Sequence, residues 1–159
     1  MLSYRQYLEA SSFDEPSRRV VEKGLTLNGV ILQPGDVYYV NSHGELHREG
    51  LPAVERVNGK KAWLVNGQFH RMDGPVVDGV DVWMIHGRPL SKSSSLTDTF
   101  KWELLRANPE SIKVIGKPSI DMQEYVIKTR PDLIGEIENL DPSLKTKYSH
   151  EVGVGNVDL

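Results

Sequence analysis

Two histidine-arginine pairs are the first residues that could do chemistry: His47-Arg48 in GELHREGLPAVERVNG and, 23 positions later, His70-Arg71 in GQFHRMDGPVVDG. A histidine with an acid nearby can carry a proton or ligate a metal, and Glu45, Glu49 and Asp73 stand within a few residues. Two histidines at this separation fit no metal-ligand spacing, and no third ligand is fixed by the pattern. The chain has no cysteine, which removes disulfides, thiolate nucleophiles and cysteine-bound zinc or iron-sulfur centres. GVGNV near the end lacks the Lys-Ser/Thr of a nucleotide loop, and the serines of SKSSS have no histidine and acid placed for them. Carboxylate pairs such as Glu45 with Glu49 are too common to mark a glycosidase, and His150-Glu151 is an isolated pair. These residues assign no catalytic, cofactor-binding or metal site, and a non-enzymatic chain is expected.

The spacing gives the histidines another meaning. Aligning Gly44 with Gly67 places Leu46 on Phe69, His47 on His70, Arg48 on Arg71, Pro52 on Pro75 and Ala53 on Val76. This is an internal repeat. A third, incomplete copy begins at WMIHGRPL, where Trp83 and Gly87 follow Trp63 and Gly67 by 20 residues and Leu90 replaces the histidine. An eroded copy precedes them in LTLNGVIL.

Turn chemistry sets the local structure. Asn58-Gly59 and Asn66-Gly67 are strong two-residue hairpin connectors, and Asp78-Gly79 and His86-Gly87 can serve similarly, so a meandering antiparallel sheet is expected from about Val37 to Leu90. Counting outward from the turns puts Trp63 opposite His70, Trp83 opposite Leu90, and Val40 opposite His47. The histidine thus occupies a packing position beside a large apolar side chain, with Glu49 and Asp73 as local partners for Arg48 and Arg71. Pro52 and Pro75 end each copy, where a missing backbone donor is harmless. Trp63, Trp83, Tyr38 and Tyr39 are expected to form a buried stripe rather than an open aromatic platform.

Trp63, Asn66, Gly67, His47, Arg48, His70, Arg71, Pro52 and Pro75 resemble the W-x-x-N-G-x-x-H-R-x-x-G-P-A repeats of bacteriophage and giant-virus proteins, distantly similar to MORN-type repeats. The first copy departs with Gly50-Leu51 before Pro52, and the third lacks His-Arg. The resemblance spans about 50 residues, implies a β-hairpin scaffold, and brings no catalytic residues with it.

After SKSSS the period changes. Thr97 is an N-cap candidate for a helix with Phe100, Leu104 and Leu105 at helical spacing, ended by Asn108-Pro109. Arg130-Pro131 follows by 22 residues, Ile134 and Ile137 answer Ile112 and Ile115, and Met122, Val126 and Ile127 answer the first apolar set. Gly116-Lys117-Pro118 and Leu140-Asp141-Pro142 are read as corresponding loops, with Pro131 in the first turn of its helix. The segment resembles the short helical repeats of the NPxAIxxIxNPSxxVQxxAVxxxP kind found in phage and bacterial proteins. Asp132, Glu136, Glu138 and Asp141 are read as a solvated acidic helix face.

The expected fold class is therefore α+β, an antiparallel β-hairpin repeat sheet followed by a short-helix repeat region. The expected organisation is an N-terminal helical cap over 1–23, carrying Tyr4, Tyr7 and Leu8, then hairpin repeats over 24–90 and a linker over 91–95. Helical repeats follow over 96–148, then a tail over 149–159 that is either disordered or an edge strand between Val152 and Val157. The net charge is −3, balanced at 11 basic and 11 acidic residues over 1–92 and 8 and 11 over 93–159, so no concentrated positive field is visible in sequence order. No apolar run is long enough to span a bilayer, and the first residues form no signal peptide, so a cytoplasmic location is expected, the host cytoplasm if the chain is viral. Two repeat types without a reactive constellation suggest an extended face for another macromolecule. The viral leaning of the resemblances implies a phage-type accessory protein that binds, and inhibits, a host protein. Two alternatives stand beside this. One is a nucleic-acid binder gathering Arg18, Arg19, Lys60, Lys61 and Arg88 on a folded surface; the other is a hydrolase or transferase using His47 or His70. No cofactor and no membrane partner are expected.

Overall fold

Three Xaa-Gly dipeptides frame the first half of the computed structural model, which describes residues 15–150. Asn28-Gly29, Asn66-Gly67 and His86-Gly87 have φ of 49° and 76°, 47° and 75°, and 49° and 75°, the type I′ geometry whose twist suits a two-residue hairpin. They join β2 (Leu25–Leu27) to β3 (Val30–Leu32), β7 (Leu64–Val65) to β8 (Gln68–Phe69), and β9 (Met84–Ile85) to β10 (Arg88–Pro89). The remaining strands, β1 (Ser17–Val20), β4 (Val37–Val40), β5 (Val54–Glu55) and β6 (Lys61–Ala62), form one antiparallel sheet in the order β1-β4-β5-β6. The architecture is α+β, strands first and helices after, and the chain divides into two compact units at the Leu90–Ser91 bond.

The layout of the strands differs from expectation. The stretch from Val37 to Leu90 is not one meander: its strands fall into the four-stranded sheet and separate two-stranded hairpins. Gly50, Pro52, Gly74 and Pro75 interrupt the ladder between copies, leaving single bonds such as Arg48 N–H to the Leu64 carbonyl (3.1 Å) and Arg71 N–H to the Met84 carbonyl (3.1 Å). Within the expected helical cap, residues 17–20 form a strand whose register runs from Ser17 opposite Val40 to Val20 opposite Val37. Pro16 immediately precedes it and disfavours helical geometry before it; Tyr4, Tyr7 and Leu8 lie outside the described residues. The core of this unit gathers Val21, Val30, Leu32, Val40, Leu46, Ala53, Val54, Ala62 and Leu64.

The helical unit keeps its 22-residue period with little drift. Helices α1 (Asp98–Ala107), α2 (Ile120–Thr129) and α3 (Pro142–Lys147) begin 22 residues apart, and 3-10 helices at Pro109–Lys113 and Pro131–Glu136 follow the first two. Each α-helix has a side-chain cap on a free N–H: Thr97 accepts from Phe100, Ser119 from Met122 and Asp141 from Ser143. Phe100, Leu104, Leu105, Ile112 and Ile115 are buried, as are Met122, Val126, Ile127, Ile134 and Ile137. Lys117 and Asn139 both have positive φ, 48° and 55°. This pairs the Gly116–Pro118 loop with residues 138–140, two positions earlier than the alignment on Leu140-Asp141-Pro142. The Ser91–Ser95 segment is a hydrogen-bonded turn rather than an open linker: Ser91 N–H reaches Ser94 Oγ (3.0 Å) and Ser94 N–H returns to the Ser91 carbonyl (2.9 Å). Among the described residues, no helix is long and apolar enough to cross a membrane.

Candidate functional site

The two His-Arg pairs have the same surroundings. His47 Nδ1 accepts the Asn66 N–H at 3.0 Å, and His70 Nδ1 accepts the His86 N–H at 3.1 Å. In each case the donor is the first residue of the next type I′ turn. The glycine that follows reaches back too, Gly67 N–H to the Leu46 carbonyl and Gly87 N–H to the Phe69 carbonyl, both 2.8 Å. The rings are 2% and 4% exposed, and an accepting Nδ1 puts the proton of the neutral ring on Nε2. Each imidazole latches the following hairpin onto its own copy.

Register explains the latch. His70 N–H bonds to the Trp63 carbonyl (3.2 Å) and His47 N–H to the Tyr39 carbonyl (2.9 Å). Val40 faces Leu46, not His47. The loop at His43-Gly44 spans three residues, because Asn41 N–H bonds to the Glu45 carbonyl and Asn41 Oδ1 accepts from His43 and Glu45 N–H. That extra residue shifts the pairing by one and makes Tyr39 the counterpart of Trp63. Leu90 N–H bonds to the Trp83 carbonyl, as the third copy requires.

The arginines repeat as well. Arg48 lies 3.9 Å from the Tyr39 ring centroid and Arg71 3.6 Å from that of Trp63. Each Nη1 donates to the proline carbonyl four residues on, Pro52 at 3.4 Å and Pro75 at 2.9 Å. A Cβ on Gly74 would sit 2.9 Å from Arg71 Cζ, so the Gly-Pro landmark makes room for a guanidinium. Leu51 holds that place in the first copy, where the bond is longer. Arg71 pairs with Asp73 at 2.8 Å as expected, but Arg48 pairs with Glu55 at 3.1 Å instead of Glu49. Glu49 turns toward His47 Nε2, 3.8 Å away, and its Oε1 is buried without a hydrogen bond.

His70 differs from His47 in stacking on His86, with ring centroids 4.3 Å apart. Burial, and then the neighbouring His86 charge, push its pKa down to about 4; burial also lowers that of His86. Among the described residues no three histidine, aspartate or glutamate side chains gather where they could hold one ion. Of the expected buried stripe, Trp63 and Trp83 are core side chains, 9% and 2% exposed, whereas Tyr38 and Tyr39 are only half-buried.

The basic residues named from sequence are exposed but scattered. Arg18 and Arg19 lie on edge strand β1 and Lys61 on the opposite edge strand β6, with β4 and β5 between them. Being adjacent on a strand, Arg18 and Arg19 also point to opposite faces. Lys60 sits in the turn before β6 and Arg88 on β10. The acidic residues are dispersed too: Asp132 pairs with Arg130, Glu138 with Lys92, and Asp141 caps α3.

A different surface stands out around Asp36, a carboxylate only 2% exposed. Its Oδ2 accepts from Gln33 N–H (2.8 Å) and Arg56 Nη1 (3.3 Å), its Oδ1 from Val57 N–H (3.0 Å), and its carbonyl from Val21 N–H (2.8 Å). Arg56 Nη1 also donates to the Ile31 carbonyl at 2.8 Å. Around this hub Val20, Ile31 and Val57 are 50%, 61% and 71% exposed. Sequence reading missed the hub; its one signal is an acid placed directly after a Pro34-Gly35 turn, where a side-chain acceptor is often needed. No family model matches the chain, and no curated protein or solved structure matches it.

Proposed function

We propose that this chain is a protein-binding module that presents the Asp36 corner of its hairpin unit to a partner. The observation carrying this reading is the exposure of Val20, Ile31 and Val57 around one buried carboxylate. Single exposed apolar residues are ordinary, but three on segments tied together through the Asp36 and Arg56 hydrogen bonds offer a contact face whose ordering cost is met before binding. The imidazoles, by contrast, are buried and engaged with turn N–H groups. The resemblance to repeats of phage and giant-virus proteins directs the search to a host protein in the host cytoplasm, with inhibition of that protein as the functional consequence.

Affinity capture from a bacterial lysate, with nuclease treatment and a salt series, tests this when run beside Ile31→Asp and Val57→Asp. One stoichiometric protein retained at high salt by the native chain and lost by both variants, at unchanged melting temperature, is the expected result. Retention that both variants keep would remove the corner from the account. Retention that nuclease abolishes would move the reading to nucleic acid.

A further inference from the structure

The helical unit contains a concavity that the repeat itself brings into relief. Lys101 on α1 and Gln123 on α2 occupy the same place in successive copies, 22 residues apart, and both are buried, at 9% and 5% exposure. Gln123 is satisfied on both sides: its Nε2 donates to the Pro118 carbonyl (3.2 Å) and its Oε1 accepts from Asp141 N–H (2.9 Å). Lys101 donates from Nζ to the Lys117 carbonyl at 3.3 Å, and Asp98, itself 80% exposed, stands 3.9 Å away. One carbonyl does not exhaust an ammonium with three donors.

Lys101 lines a cavity of about 530 Å³ together with Lys92, Ser93, Ser94, Ser95 and Lys117. Gly116 makes the cavity's shape possible: a Cβ there would fall 1.7 Å from the Lys92 carbonyl oxygen, so only glycine lets the serine turn close over the loop. Three lysines and three serines line this space with no carboxylate among them, in a chain whose net charge is −3. Two of these lysines have an acid beside them outside the lining, Asp98 at 3.9 Å from Lys101 Nζ and Glu138 at 3.4 Å from Lys92 Nζ.

We propose that this cavity binds a small organic phosphate, its anionic group held by Lys101 and Lys117 with Lys92 and the serine hydroxyls at the rim. Ammonium groups and hydroxyls are the donors a phosphate monoester needs. The volume, within the range of about 300–1,000 Å³ typical of small-molecule sites, calls for an organic body beyond the oxyanion.

The test is a ¹H–¹⁵N NMR titration of the full chain with phenyl phosphate, inorganic phosphate and phenol. Expected are saturable shifts for phenyl phosphate at the amides of Ser93–Leu96, Gly116 and Lys117, with inorganic phosphate weaker and phenol silent. Lys101→Met should weaken binding about tenfold, the loss of one charge-assisted hydrogen bond. Because Lys101 is buried, Lys117→Ala, which truncates an exposed side chain, gives the same reading if the first variant does not fold. Shifts spread over lysines outside the cavity, affinity unchanged in a folded variant, or inorganic phosphate binding as well as phenyl phosphate would each overturn the proposal.

Discussion

The repeat supplies its own substitution for testing the histidine latch, because the third copy carries Leu90 where the first two carry His47 and His70. His47→Leu puts an apolar side chain of similar bulk into a site 2% exposed and takes away the acceptor that holds the Asn66 N–H at 3.0 Å. Asn66 itself is exposed, so its freed N–H can reach water, and the loss is that of an ordinary hydrogen bond, about 0.5–1.5 kcal/mol. For a cooperative unit of 60–100 residues each kcal/mol moves the melting temperature by roughly 4–8 °C, so a loss of roughly 2–12 °C is expected. Trp63 and Trp83 report on this unit in a fluorescence melt, and a urea titration gives the free energy directly.

Stability alone would not separate a latch from any other buried side chain, and amide hydrogen exchange does. His47→Leu should deprotect the Asn66 amide selectively and His70→Leu the His86 amide, about tenfold faster for each 1.4 kcal/mol lost. The crossed pattern is the signature. If each variant accelerates both amides equally, or if either leaves its own turn amide protected, the Nδ1 acceptors do not hold these turns.

Three further outcomes follow from the structure. His70 takes up a proton near pH 6.5 when unfolded but only near 4 when folded. The unfolded chain therefore binds more protons in that window, and stability is intact above about pH 6.5 and falls by about 3 kcal/mol as the pH drops toward 4; urea midpoints across the window should slope less in His70→Leu, and an equal slope would refute the assignment. Gly116→Ala should cost at least the roughly 1–3 kcal/mol of ordinary overpacking, since its Cβ would meet the Lys92 carbonyl oxygen at 1.7 Å, and a melt followed by Trp102 fluorescence that does not move would contradict it. Ser111 Oγ is fully buried with no hydrogen bond, so Ser111→Ala should be neutral or stabilising by up to about 1 kcal/mol, and a destabilised variant in the same melt would show that the hydroxyl has a partner.

Much of the hairpin unit was legible because its turns are chemically narrow: Asn66-Gly67 and His86-Gly87 accept few conformations, and Trp63 opposite His70 follows by counting. The count failed at His43-Gly44, where the Asn41 side chain captures two backbone N–H groups and closes a three-residue loop. Propensity cannot weigh that competition, but the repeat could have, since aligning Tyr39 with Trp63 restores the register. The Glu55 partner of Arg48 and the Asp36 hub were not legible, because both join residues from different segments of the chain. In the helical unit the 22-residue spacing carried nearly everything. The misplaced loop came from matching prolines instead of the cap residues Ser119 and Asp141, which set where each helix begins.

Repetition also separates two kinds of polar residue. A side chain that fastens one copy to the next is needed once for every junction, whereas a ligand-binding side chain is needed once. The histidine follows the first rule: it is present wherever another turn must be held, at 47 and 70, and becomes leucine at 90 where the hairpins end. Lys101 follows the second. Its equivalents are Gln123, bonded at both ends of its amide, and then Lys145, which is exposed, so no demand of the repeat accounts for a buried lysine side chain at this position. A largely buried charge is costly unless its surroundings compensate it, and here the protein offers Lys101 one carbonyl at 3.3 Å and one solvent-exposed carboxylate at 3.9 Å. The cost falls where the copies differ, and that difference places the cavity beside Lys101, rather than the more conspicuous His-Arg pairs, as the position to test for small-molecule binding.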